Sequence, residues 1–300
     1  MDSPEADETP AVRTDIYNKV ATPVGPFQRS DTSLSPQACP TCQDATPSYV
    51  YALGRVEARF PRVSLEKEFA QVAGRGATEG QTDREAFRTV LSQRENRYLA
   101  RQLCWVMSIQ GLDTYLLQPR DPGDFDLLLG ALRPESNPLE IDCVIGVRGP
   151  IAMPDVCNGL MIPIVSFDQI YSFGRDALIE AIPKPEKAPK GFGATAEDLF
   201  DRVMQLADNA GATDEHRALN YLVMRYPAIY ATVADAHARN ASLMGVDVQP
   251  SRLSGTRKIV DVILSFTNRN NEFTEKFFTR VDVTEEFPFL VTRMSPYYDR

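Results

Sequence analysis

Hydrophobic and polar positions along the first half of the chain predict a mixture of strands and helices. The run YVYALGRVEARFPRV, which begins at Tyr49, is rich in aromatic and β-branched residues and predicts the first strand. Residues 83–107 carry apolar side chains near a helical period, so they predict the longest helix of this half. WVMSIQGLDTYLLQP predicts a hairpin at Gly111, and LEIDCVIGV predicts a strand with one apolar face.

The second half begins after a segment without apolar periodicity. Residues 183–193 contain several Pro and Lys residues and predict a linker. TAEDLFDRVMQLADNAG then predicts a helix with Thr195 at its N-cap and Gly211 beyond its end. Two further helices are expected on either side of Pro227, and the remaining alternating segments predict an antiparallel meander.

These elements predict an α+β protein with a mixed αβ subdomain followed by a helical segment packed on an antiparallel β-meander. A polar, acidic tail at 1–45 is expected to be disordered because it has few large apolar residues. The αβ subdomain is predicted at 46–182, the Pro/Lys linker at 183–194, and the helices with the meander at 195–300.

Charge and composition exclude several classes of function. The net charge is -9, which argues against nucleic acid or an anionic membrane surface as the main partner. The N-terminal residues lack the apolar core of a signal peptide, and no apolar run reaches the length of a membrane span. We therefore expect a cytoplasmic protein, in which five cysteines do not form a disulfide framework.

Several long phrases of the sequence resemble one known module. They are YVYALGRVEARFP, VIGVRGPIAMPDVCNGL, HRALNYLVMRYPAIY and SRLSGTRKIVDVILSFTNR with VDVTEEFPFLVT. Together they resemble, over residues 48–300, the C-terminal domain of PatG-type proteases, which mature the ribosomally made cyclic peptides called cyanobactins. The resemblance implies a link to such a pathway but no activity, because the family's protease segments have no counterpart in this sequence.

The cysteines are the strongest candidates for a metal site. Cys39 and Cys42 form a C-x-x-C pair in a polar segment, and a structural zinc ion needs four such ligands. Cys143 lies on the apolar face of a predicted strand and is expected to be a core thiol. Cys157 lies in a polar turn, and Cys104 lies off the apolar stripe of its predicted helix. We therefore predict a zinc site formed by Cys39, Cys42, Cys104 and Cys157.

Two other chemistries remain open. Cys39 and Cys42 could be a redox pair, although no helix is predicted after them to lower a thiol pKa. The loop at 250–258 could bind an anion or a peptide carboxylate through Arg252, Ser254, Arg257 and Lys258. The alternative for this loop is an ordinary connection between strands, whose basic residues balance nearby acids.

The sequence thus favours a non-catalytic, zinc-stabilised module that binds a peptide substrate or a protein of the maturation pathway. A homodimer is expected if the fourth zinc ligand comes from a second chain. The competing hypotheses are a peptide-modifying enzyme that holds its substrate with the 250–258 loop, and a thiol-redox protein. Neither His216 nor His237 is placed by the sequence beside a serine or cysteine nucleophile.

Overall fold

The computed structural model describes five stretches of the chain: residues 47–74, 82–133, 140–183, 191–206 and 208–298. The predicted tail at 1–45, with Cys39 and Cys42, and most of the predicted linker lie outside these stretches. Within them, no helix is both long enough and apolar enough to cross a membrane.

The first half of the described chain forms a closed five-stranded barrel with helices around it. Its strands are β1 (Ser48–Arg59), β2 (Cys104–Ile109), β3 (Leu112–Pro119), β4 (Glu140–Ile151) and β5 (Pro163–Gly174). Its helices are α1 (Val63–Ala73), α2 (Asp83–Leu91), α3 (Arg97–Ala100), α4 (Phe125–Ala131) and α5 (Arg175–Ala181). The strand order is β1-β2-β3-β5-β4, and β3 and β5 run parallel while the other pairs are antiparallel.

Strand β1 closes the barrel because it changes partner along its length. Its first residues pair with β4, and from Arg55 onward it pairs with β2. Gly54 is needed at the change, since a Cβ there would lie 2.3 Å from the Ser108 carbonyl oxygen. Two residues further on, the Val56 backbone N–H donates to the buried Asp142 carboxylate at 2.7 Å. Burial raises the pKa of the Asp142 carboxyl, so keeping a charged acceptor at this position costs free energy. Asp142 accepts this hydrogen bond where β1 changes its partner strand from β4 to β2.

The second half packs helices on a four-stranded sheet, as predicted. Its helices are α6 (Phe192–Met204), α7 (Asp214–Arg225) and α8 (Ala228–Ala238), and its strands are β6 (Ala241–Pro250), β7 (Ile259–Asn268), β8 (Thr274–Asp282) and β9 (Phe289–Pro296). The strands form a meander in the order β6-β7-β8-β9, and every neighbouring pair is antiparallel. The α+β class is confirmed.

One hydrophobic core joins the two halves. Tyr51 and Leu53, on the outer face of β1, pack in the same buried cluster as Phe200 of α6 and Val262 and Leu264 of β7. A second cluster of buried hydrophobic side chains, which includes Trp105, belongs to the half of the protein that contains the barrel. The chain from residue 46 onward forms one compact unit, and the predicted boundary at 183–194 falls inside it.

Polar contacts fix the same junction. The Tyr51 N–H donates to the Gly211 carbonyl at 2.8 Å, and the Tyr51 carbonyl accepts from the Asn220 side chain at 2.8 Å. Asn220 also exchanges hydrogen bonds with Asn209, and both amides are buried. Because Gly211 has φ +68° and lies against the backbone of Tyr51, a side chain at this position would collide with β1.

Two helix predictions were wrong in detail. The helix predicted over 83–107 ends at Leu91, and Cys104 begins strand β2 instead of ending a helix. The buried Asn96 side chain donates to the Val90 carbonyl at 3.1 Å, which satisfies a helix-end acceptor and favours termination there. Thr195 lies inside α6, where its hydroxyl donates to the Phe192 carbonyl at 2.9 Å, so it is not the N-cap.

Candidate functional sites

The structure brings together two of the four predicted zinc ligands. Cys104 at the start of β2 and Cys157 in the loop between β4 and β5 are joined by a disulfide bond, with their Cα atoms 5.8 Å apart. Their exposed fractions are only 4% and 3%. Cys143 is a free, fully buried thiol, as predicted for a core residue.

The Cys104–Cys157 pair lies in a small buried apolar cluster. Val106, Leu116 and Ala152 pack beneath the two sulfur atoms, whereas three apolar side chains of the same loop region are strongly exposed, namely Ile151, Met153 and Met161. Among the described residues, no group of three or more His, Cys, Asp or Glu side chains could bind a metal ion. Any zinc site at this pair would therefore need ligands from outside the described residues, such as the predicted Cys39 and Cys42, or from another chain.

Two of the four predicted side chains of the 250–258 loop make close contacts within the fold. Arg257 forms an ion pair at 2.5 Å with Asp282, whose side chain is 1% exposed, and stacks on the Phe289 ring. Ser254 Oγ accepts from the Ile259 N–H at 3.1 Å and donates to its carbonyl at 2.7 Å.

The other two predicted residues of this loop make fewer contacts within the fold. Lys258 Nζ lies 3.7 Å from Asp214 Oδ2, and Arg252 is exposed. Three of the four predicted side chains thus already contact groups of the fold.

The two histidines lie on different helices of the second half. His216 lies in the first turn of α7, where its backbone N–H donates to the Thr213 hydroxyl at 3.2 Å. Its Nδ1 is buried without a hydrogen-bond partner in the described structure, and burial lowers the pKa of the imidazole. His237 lies in the last turn of α8.

A cleft of about 1010 Å³ lies between the end of β1 and helices α1 and α2. Three phenylalanine rings, those of Phe60, Phe69 and Phe87, meet at its apolar side with centroids 5.0–5.4 Å apart. Phe69 and Phe87 are buried, and Phe60 is only partly buried, so its ring is the accessible member of the group. Pockets with an apolar wall and a few polar groups are typical of ligand sites.

Three arginines line this cleft, and the fold neutralises two of them. Arg59 makes a bidentate contact with Asp113 at 2.5 and 2.7 Å. Arg84 donates to the Val56 carbonyl at 3.0 Å and lies 3.6 Å from Glu140. The Nε atoms of Arg55 and Arg84 are both buried without a hydrogen-bond partner in the described structure. Sequence reasoning missed this site, although the alternating charges of β1 followed by Phe60 were visible.

Asp168 and Glu286 form a carboxyl pair that links the barrel to the loop between β8 and β9. Burial, and then the neighbouring Asp168, raise the pKa of Glu286 to about 7. Arg120 lies between them, with Nη1 2.8 Å from Asp168 Oδ2 and Nη2 3.4 Å from Glu286 Oε2. The adjacent acids Glu285 and Glu286 are not a dyad with each other, since Glu285 instead accepts from the Tyr49 hydroxyl.

Comparisons with known proteins agree with the resemblance found in the sequence. Residues 186–297 match the protein family described as PatG C-terminal. A solved structure described as "PatG Domain of Unknown Function" superposes with a TM-score of 0.67 at 22% sequence identity, and the match covers 83% of this chain and 98% of that chain. No curated protein matches. The chain is therefore similar to these domains in part of its sequence and in its fold.

Proposed function

We propose that this chain, whose residues 186–297 carry a PatG C-terminal-type domain, is a non-catalytic module that binds a peptide or a partner protein in a ribosomal-peptide maturation pathway. The cleft beside β1 is the observation that carries this proposal. Its volume, near 1010 Å³, accommodates several residues of an extended peptide, and its wall combines the Phe60 ring with charged side chains. This combination suits recognition of a peptide more than it suits catalysis, because the arginines nearest the ring are mostly paired with acids.

The binding proposal is tested with a fluorescently labelled peptide rich in large apolar residues. We expect Phe60→Ala to weaken binding, because Phe60 is the partly exposed ring of the cleft. Phe273→Ala is the matched control, since Phe273 is exposed in a turn of the meander, away from the cleft-lining residues. Equal affinity of the wild type and both variants, or no binding to any of them, would contradict the proposal.

Zinc stabilisation is the second part of the proposal. A tetrahedral zinc site would take Cys104 and Cys157 as one half and Cys39 and Cys42 as the other, with all four as thiolates. The nearness of the first two sulfur atoms supports this, because two atoms that can form one bond can also ligate one ion. A bound zinc ion would tie the N-terminal segment to the barrel and contribute free energy to folding in a cytoplasmic protein.

Metal content of the reduced protein, purified without added metal, tests the zinc site. We expect about one zinc ion per chain in the wild type and its loss in Cys39→Ser and in Cys157→Ser, since a four-ligand structural site requires each thiolate. Cys143→Ala is the control, because this buried thiol lies outside the proposed site and should leave the metal content unchanged. Metal-free wild-type protein with freely reactive Cys39 and Cys42 would refute the zinc site.

A further inference from the structure

Strand β6 is an edge strand of the four-stranded sheet. Among the described residues, no strand pairs with it on the side away from β7. The Ser251 N–H, directly after β6, donates to the Ile259 carbonyl of β7 at 2.8 Å. Because residues of an antiparallel pair bond to the neighbouring strand at every second position, the backbone groups of Val246 and Val248 point away from β7. Their N–H and C=O groups are therefore available to pair with a further strand.

A small apolar pocket lies beside this edge, and its volume is about 170 Å³. A cavity of about 150 Å³ holds a benzene-sized molecule, so this pocket accommodates one leucine or phenylalanine side chain. Met244 lines it and is 67% exposed, so the pocket opens to solvent. The rest of its apolar lining comes from α6, α7 and β6, namely Val203, Leu206, Leu219, Leu243 and Val246.

Asp247 lies between the two valines and supplies a charge at the same edge. The side chains of Val246 and Val248 pack toward the helices, so alternation places Asp247 on the opposite face of the sheet, where it is exposed. It forms no ion pair with a described residue. A basic side chain directly opposite Asp247 on an added strand would form a cross-strand ion pair. The edge therefore favours a segment in which apolar, basic and apolar residues follow one another.

A second copy of this chain fits the edge poorly. A twofold pair of β6 strands that uses both valines places the two Asp247 side chains directly opposite each other, and like charges there destabilise a sheet. A shift in one direction sets Pro250, which has no N–H to donate, opposite Val246. A shift in the other direction brings the bulge between Leu243 and Gly245 into the pairing. These features favour a different chain as the occupant.

We propose that the β6 edge binds an extended peptide segment as an additional strand of the sheet, with one apolar side chain in the pocket and a basic side chain opposite Asp247. Peptides that bind to a sheet edge gain affinity from main-chain hydrogen bonds and specificity from pockets for alternate side chains. This inference rests on the peptide-binding function proposed above. It adds a second site, whose pocket shares no lining residue with the cleft beside β1.

Calorimetric titration with three short peptides tests the inference. The first is acetyl-Thr-Leu-Lys-Leu-Thr-amide, the second has Glu in place of Lys, and the third is the first peptide with N-methyl groups on both leucine nitrogens. We expect the wild type to bind the first peptide at least tenfold more tightly than either of the others. The second is repelled by Asp247, and the third cannot donate hydrogen bonds to the edge.

Two variants locate the binding at β6. Asp247→Lys reverses the charge at the edge, so it should bind the Glu peptide more tightly than the Lys peptide. Asp155→Lys is the matched control, because it makes the same change in net charge at an exposed position between β4 and β5 and should keep the preference of the wild type. Val248→Pro removes an N–H that points to the open edge, and it should weaken binding of the first peptide at least tenfold. If Val248→Pro does not fold, the N-methylated peptide on the wild type still decides the role of the backbone groups.

The outcomes separate this inference from the broader proposal. Equal binding of all three peptides by the wild type, or an unchanged preference in Asp247→Lys, would overturn strand addition at β6. A wild-type dimer in sedimentation that becomes a monomer in Val248→Pro would show that a second copy occupies the edge, and would overturn it as well. Failure of the wild type to bind any of the three peptides, while the fluorescent apolar peptide still binds and depends on Phe60, would overturn this inference alone. Failure of the fluorescent peptide too would overturn peptide binding itself.

Discussion

Replacing Glu286 with Gln should make the protein more stable at alkaline pH and should not do so at acidic pH. Glu286 lies beside Asp168 where the β8–β9 loop meets the barrel, and its side chain is only 14% exposed. The charged groups that face the pair are Arg120, which contacts both carboxyls, and Arg217, which donates to the Glu286 carbonyl. Glu285, the adjacent acid, accepts from Tyr49 and adds further negative charge.

The sign follows from the raised pKa. Burial and Asp168 raise the pKa of Glu286 from 4.5 to about 7, so the folded protein binds this proton more tightly than the unfolded chain does. The free energy of unfolding therefore falls as the pH rises from the pKa of Glu286 in the unfolded chain to its pKa in the folded protein. At 1.36 kcal/mol per pKa unit the fall is at most about 3 kcal/mol. Arg120 is about half exposed, so solvent screens these interactions. We therefore expect the free energy of unfolding to fall by about 1 to 2 kcal/mol.

Urea unfolding of the wild type and Glu286→Gln at pH 5 and pH 8, at one ionic strength, measures this difference. A neutral amide is insensitive to pH, so the variant should gain about 1 to 2 kcal/mol over the wild type at pH 8 and little at pH 5. Glu180→Gln is the control, because Glu180 is exposed on α5 and should give equal effects at both pH values. The same gain for Glu286→Gln at both pH values, or a loss at pH 8, would refute the reasoning.

Three further variants test the junction between the two halves by urea unfolding. Asn220→Leu removes the donor to the Tyr51 carbonyl and both hydrogen bonds with Asn209, so we expect a loss of about 2 to 4 kcal/mol, and a loss below about 1 kcal/mol would contradict this. Gly211→Ala places a Cβ 2.3 Å from the Tyr51 oxygen at φ +68°, and we expect a loss of at least about 2 kcal/mol. Arg217→Met leaves the Val283 carbonyl without its 2.7 Å donor, and a loss of about 1 to 3 kcal/mol is expected; no change would show that water replaces the donor.

The meander and the hairpin could be predicted from the sequence because their pairing is local. Alternation along β7 and β8, together with a turn of polar residues between them, determines both neighbours and register. The barrel could not be predicted in this way. Its closure depends on β1 pairing with β4 at one end and β2 at the other, and on a parallel contact between β3 and β5. These strands are far apart in sequence, and only Gly54 hints at the close approach.

The candidate sites show the same difference between local sequence features and contacts that form only in the fold. Cys104 and Cys157 could be chosen as a pair by excluding the core thiol Cys143, although the reasoning placed Cys104 on a helix that does not exist there. The cleft beside β1 could not be found, because its lining comes from β1, α1 and α2, which meet only in the folded protein. Asp168 and Glu286 likewise meet only through the packing of the barrel on the second half.

The shared core leads to a prediction about what folds alone. The family match begins at residue 186, which suggests an independent unit, yet the buried cluster around Phe200 and Val262 also contains Tyr51 and Leu53 of β1. Without the barrel, these apolar surfaces and the Asn220 amide would be exposed. We therefore expect a fragment of residues 186–300 to show helix and strand in far-ultraviolet circular dichroism but no cooperative unfolding and no near-ultraviolet signal.

The matched control for this fragment is residues 46–300, which should unfold in one cooperative transition. A cooperative transition of the 186–300 fragment, with an unfolding midpoint close to that of 46–300, would show that the meander and its helices are a separate domain. The contacts of Tyr51 argue against that result, because both its backbone groups and its ring are committed to residues of the second half. Strand β1 therefore belongs to both the barrel and the core beside it, and neither half has a complete interior without it.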